Sequence, residues 1–128
     1  MNKLFIPYEQ ALAMSDLGYD EKCLGLYTNN PSGPELLIGE FTVSPDSEFE
    51  IYAPLWQQAF QYFRDLGYKF YINSGTLNMN KQYVDWYYRI SRYGDVISEI
   101  DHRDGFMDYE TARNLLLEDL IMIEQNRK

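Results

Sequence analysis

The sequence predicts an α+β domain. Three helices would pack on one face of a mostly antiparallel sheet, in the order α-β-β-α-β-β-β-α. Three observations carry this. Ala53–Ile72 (APLWQQAFQYFRDLGYKFYI) reads as helix, glycine stop and strand in one run. Tyr83–Ile90 alternates with strand period and leads into a turn and a second alternating run. The last twenty residues hold apolar side chains at three- and four-residue steps, the spacing of one helix face. Helices on one side of an antiparallel sheet satisfy that pattern.

In chain order, Pro7 opens a first helix, with Tyr8, Ala11, Leu12 and Ser15 on one face and Leu17-Gly18-Tyr19 closing it. Cys23–Tyr27 reads as a strand. Asn29–Pro34 is dense in turn formers and reads as a loop. Leu36–Val43 is the next strand, Ser44–Ser47 a turn, and Phe49–Tyr52 a short extended piece.

The central stretch follows. Pro54 suits a first helical turn, because its missing N–H is no loss there. Trp56, Ala59, Phe60, Phe63 and Leu66 share one face, with Gln57, Gln58, Gln61, Arg64 and Asp65 mostly on the other. Each large apolar side chain buried there stabilises the fold by roughly 1.5–3 kcal/mol. Gly67 permits the left-handed stop. Tyr68, Phe70 and Ile72 then alternate with Lys69, Tyr71 and Asn73.

Asn73–Lys81 is a polar loop. In Tyr83–Ile90, Val84, Trp86, Tyr88 and Ile90 line one face and Tyr83, Asp85, Tyr87 and Arg89 the other. Arg92-Tyr93-Gly94-Asp95 is a hairpin turn, and Val96, Ser98 and Ile100 continue the sheet. Asp108 caps the last helix, with Glu110 in its first turn. Ala112, Leu116, Leu120 and Ile123 form that helix's stripe, and Leu115, Leu117, Ile121 and Met122 widen it. Gln10-Ala11-Leu12…Asp16-Leu17-Gly18-Tyr19 is echoed by Gln58-Ala59-Phe60…Asp65-Leu66-Gly67-Tyr68. The echo reads as a shared helix–turn–strand recipe rather than a duplication.

At 128 residues the chain is expected to form one domain, 1–128. No apolar run approaches a membrane span, and MNKLFIPYEQ is too weakly apolar for a secretory signal. The one cysteine, Cys23, cannot build a disulfide framework and fits a reducing cytoplasm. The net charge is −9, from 20 acidic against 11 basic residues. That field repels phosphate backbones and attracts basic surfaces. The chain also holds 12 tyrosines, a residue type enriched at binding surfaces.

Chemistry is sparse. Neither a phosphate-binding G-x-x-x-x-G-K-[ST] loop nor G-x-G-x-x-G occurs. One Cys and one His do not make a usual zinc site, and the spaced acids of a calcium loop are missing. No cofactor or metal is expected. Asp101-His102-Arg103-Asp104 could in principle place a general base beside carboxylates. A polar corner before a helix explains the same residues, so no catalytic residue is assigned. Cys23 reads as a structural thiol rather than a nucleophile.

Two groups of residues are candidates for partner binding. The first is the outward face Tyr83, Asp85, Tyr87 and Arg89. It could hold a protein, or stack the bases of single-stranded nucleic acid with help from Lys69, Lys81 and Arg92. Ordinary cross-strand pairing on a solvated face is its bland reading. The second is Leu117 and Ile121, exposed if the last helix has more apolar surface than the core covers, and suited then to a homodimer or a partner groove. The alternative is a central helix covered on two sides.

Three stretches carry a resemblance: Ile6-Pro7-Tyr8-Glu9-Gln10-Ala11, Ala53–Arg64 in the pattern Ala-Pro-Leu-X-Gln-Gln-Ala-Phe-X-X-Phe-Arg, and Tyr109–Ile121 in the pattern Tyr-Glu-X-Ala-X-X-X-X-Leu-X-X-Leu-Ile. Together they touch about a third of the chain. They resemble a family of short phage and prophage proteins to which no catalytic residues are assigned. The resemblance implies an accessory role in the cytoplasm of a bacterial host. With the acidic charge, it leads to the expectation of a non-enzymatic protein that binds a host protein. One concrete form is an anti-CRISPR or other anti-defence inhibitor that docks on a basic nucleic-acid-binding surface.

Overall fold

The computed structural model describes residues 3–43, 45, 50–75, 85–92, 95–101 and 108–127. It is α+β, with helices α1 (Tyr8–Leu17), α2 (Trp56–Asp65) and α3 (Tyr109–Arg127) and strands β1 (Cys23–Asn30), β2 (Gly33–Val43), β3 (Glu50–Ala53), β4 (Tyr68–Gly75), β5 (Asp85–Arg92) and β6 (Asp95–Asp101). The expected order of elements holds, and the short extended piece before α2 is a full strand, β3.

The single sheet of the sequence reading is corrected. The strands form two antiparallel three-stranded sheets, ordered β2-β1-β3 and β4-β5-β6. In each, the central strand has both edges filled by neighbours close in sequence, which completes a sheet locally. Two compact units are distinguished, Met1–Tyr62 with Glu124–Lys128, and Phe63–Ile123.

In the first unit, Gly18 at φ 103° ends α1. Its N–H donates to the Ser15 carbonyl at 3.0 Å, and the Tyr19 N–H reaches back to the Met14 carbonyl at 3.0 Å. This paired closure satisfies carbonyls that a helix end leaves orphaned. The buried face of α1 is Gln10, Ala11, Met14 and Leu17, rotated from the expected one. Asn29–Pro34, expected as a loop, is mostly strand. Asn30 pairs with Gly33, so Pro31 and Ser32 alone make the tip.

Pro54 precedes the N-cap of α2 rather than standing in its first turn. The Leu55 N–H donates to Gln58 Oε1 at 3.0 Å, the reciprocal half of a capping box. The chain's beginning is pinned to this entry. The Ile6 N–H donates to the Pro54 carbonyl at 3.0 Å and Trp56 Nε1–H to the Lys3 carbonyl at 3.1 Å. As the spacing predicted, Trp56, Ala59, Phe60 and Phe63 are buried.

In the second unit, Gly67 (φ 99°) ends α2 with its N–H on the Arg64 carbonyl at 3.0 Å, as Gly18 ends α1 on Ser15, and the tyrosines that follow, Tyr19 and Tyr68, are both buried. The two Asp-Leu-Gly-Tyr segments therefore share a helix-ending device. At the start of α3, the Thr111 N–H donates to Asp108 Oδ1 at 2.7 Å, which makes Asp108 the expected cap.

Candidate functional site

The candidate site is the outer face of the second sheet. β5 alternates, and its two sides differ. Tyr88 and Ile90 are fully buried. The Tyr88 hydroxyl donates to Asp119 Oδ2 at 2.5 Å and approaches the Leu115 carbonyl at 3.5 Å, so this side of β5 faces α3. Burial and the neighbouring Asp119 carboxylate push the Tyr88 phenol far above its ordinary range. Arg89, between Tyr88 and Ile90, takes the opposite side of the strand.

Register assembles that face across three strands. Tyr71 of β4 stands opposite Arg89, and Arg89 opposite Glu99 of β6. The next row is Asn73, Tyr87 and Asp101. Lys69 stands opposite Ser91, and Gly75 opposite Asp85. Lys69 and Tyr71 are open to solvent, Tyr71 at 45% of its surface, while Arg89 is half-buried. The face thus combines tyrosine positions, a lysine and an arginine with carboxylates in adjoining register positions.

The other cations near this sheet have structural partners. Arg92 donates from Nε and Nη2 to the Leu66 carbonyl, at 3.3 and 3.1 Å, and lies over the Tyr68 ring at 5.2 Å. Arg64 lies over the Phe70 ring at 4.7 Å and Arg113 over the Tyr109 ring at 5.8 Å. These contacts tie the guanidinium groups to the end of α2, to β4 and to α3, where they clamp the unit together.

Of the residues singled out from the sequence, Asp85, Tyr87 and Arg89 hold alternate backbone positions of β5. Tyr83 lies outside the described residues, as do Lys81, His102, Arg103 and Asp104. Leu117 and Ile121 are corrected. They are 0% and 5% exposed, so they belong to the core, and the large apolar residues of α3 open to solvent are Tyr109 and Met122. The physical reason is that α3 buries two adjacent stripes. Ala112, Leu116 and Leu120 form one, and Leu117, Ile121 and Glu124 continue beside it.

Sequence reasoning missed Tyr71 and Glu99 as members of the face, because cross-strand register is not written in either strand alone. It also missed Glu124, a fully buried carboxylate in the first unit. Arg127 holds it bidentately, with Nε and Nη2 at 2.7 and 2.6 Å from the two carboxylate oxygens. The signal available was an arginine three residues on, one turn away.

In the first unit, Cys23 is buried with its Sγ 3.4 Å from the Tyr19 hydroxyl and 3.2 Å from the Glu21 carbonyl. Burial pushes its thiol upward, away from the thiolate form a nucleophile needs. Tyr19 meets Tyr52 and Tyr62 edge to face, at 6.1 and 5.4 Å between centroids. Tyr19 and Cys23 are core, and Tyr52 and Tyr62 are half-buried beside them. Among the described residues no group of three or more His, Cys, Asp or Glu is placed to hold a metal ion, and no helix is long and apolar enough to cross a membrane. No family model, curated protein or solved structure matches the chain.

Proposed function

We propose that the protein is a non-enzymatic binding protein that meets a basic surface of a host protein through the outer face of its β4-β5-β6 sheet. The observation that carries this reading is the register. Glu99 and Asp101 are the register partners of Arg89 and Tyr87, so acidic positions adjoin an arginine and a tyrosine position along the backbone ladder. A nucleic-acid backbone laid there would meet those carboxylates, at a cost that a basic protein surface does not incur. The net charge of −9 acts in the same direction at long range. Exposed Tyr71 supplies rigid amphipathic contact area of the kind that dominates interface energies.

The setting we propose is that of the phage and prophage proteins that the three sequence stretches resemble, with the protein acting in the cytoplasm of a bacterial host. The target would be a nucleic-acid-binding defence protein, and the effect anti-CRISPR or other anti-defence inhibition by occupation of a basic channel.

Affinity capture from host lysate tests the binding. Wild-type protein should retain a basic protein at about 50 mM salt and release most of it at about 500 mM, because screening shortens the reach of the acidic field. Tyr71→Ala should reduce retention at both salts. Equal retention by wild type and variant, or retention that ignores salt, overturns the assignment to this face. A gel shift with single-stranded DNA and RNA should show no shift at micromolar protein; a shift favours the nucleic-acid reading instead. Plaquing of a targeted phage on a host with an active CRISPR system should rise when the protein is expressed.

A further inference from the structure

We draw no further inference here: the strongest candidate, the exposed apolar pair Leu37 and Ile38 on the edge strand β2 of the first unit, carries none because nothing in the structure shows what covers it.

Discussion

Tyr88→Phe isolates the contact that fixes which side of β5 faces α3. The substitution removes one hydroxyl and leaves the ring, so the fully buried site gains no cavity beyond an oxygen atom. What is lost is the hydrogen bond to Asp119 Oδ2 at 2.5 Å, a bond to a carboxylate. Such bonds contribute about 1.5–3 kcal/mol. The second contact, to the Leu115 carbonyl, is long at 3.5 Å and adds little. Asp119 is only half-buried, so water can partly replace the lost donor. The expected cost is therefore in the lower part of the range, about 1.5–2 kcal/mol. Urea unfolding should show a lower midpoint with an unchanged slope. Asp119→Asn keeps an acceptor but removes the charge, and should cost about half as much. The double variant should cost clearly less than the sum of the two, since the residues share one bond. If Tyr88→Phe shifts stability by less than about 0.5 kcal/mol, or the two variants add fully, the hydroxyl does not hold α3 on this face. The orientation of the Tyr71–Arg89 face would then lose its main support.

Two further outcomes are expected. Burial raises the phenols of Tyr19, Tyr27, Tyr62 and Tyr88 above their ordinary value near 10, each by desolvation first. Below pH 10 these groups are protonated whether folded or not, so their contribution is fully present. Above pH 10 the unfolded chain releases protons that the folded chain keeps, and stability falls by at most about 1.4 kcal/mol per pH unit for each of the core residues Tyr19 and Tyr88, and by less for half-buried Tyr27 and Tyr62, where solvent screens the effect. Absorbance at the tyrosinate band should therefore rise in two stages, exposed tyrosines first and the buried ones together with loss of far-UV circular dichroism. A single smooth titration with the fold intact would refute it. The second outcome separates two roles of glycine. Gly18→Ala meets nothing within 4 Å, so its cost is that of a left-handed backbone, about 1–2 kcal/mol. Gly25→Ala would place its Cβ 2.9 Å from Phe5 Cε1 and 3.3 Å from Ala53 Cβ and Leu36 Cδ1. It should cost about 1–3 kcal/mol by overpacking. Thermal melts of both variants check this, and a neutral Gly25→Ala would contradict the close approach of Phe5.

Where the sequence was legible, a strong local contrast made it so. α2 sets Trp56, Phe60 and Phe63 against glutamines and Arg64, and its stop is a glycine that must take positive φ. α1 lacked that contrast. Its apolar residues lie on several sides, so the expected Tyr8, Leu12 and Ser15 gave way to Gln10, Met14 and Leu17. Composition misled at Asn29–Pro34, where six turn-forming residues supply a two-residue tip because the ladder continues through Asn30 and Gly33. The single sheet failed for a different reason. Alternation says which residues share a face, but not which strand edges meet, and here each central strand is satisfied by its own neighbours.

The same limit governs the candidate site. Alternation gives Tyr87 and Arg89 as alternate positions of β5, and the strand itself was readable. It could not say that Tyr71 and Glu99 flank Arg89, because that depends on two registers set by separate connections. Yet those neighbours decide the chemistry. An arginine between two tyrosines would favour stacked bases, whereas an arginine between Tyr71 and Glu99 has a carboxylate in the adjoining register position. The position of Glu99 therefore bears directly on the choice between partners. Glu99→Lys should move the face toward nucleic acid, with a gel shift appearing where wild type gives none and retention of a basic host protein falling. If Glu99→Lys changes neither, the register of β6 against β5 does not govern recognition on this face.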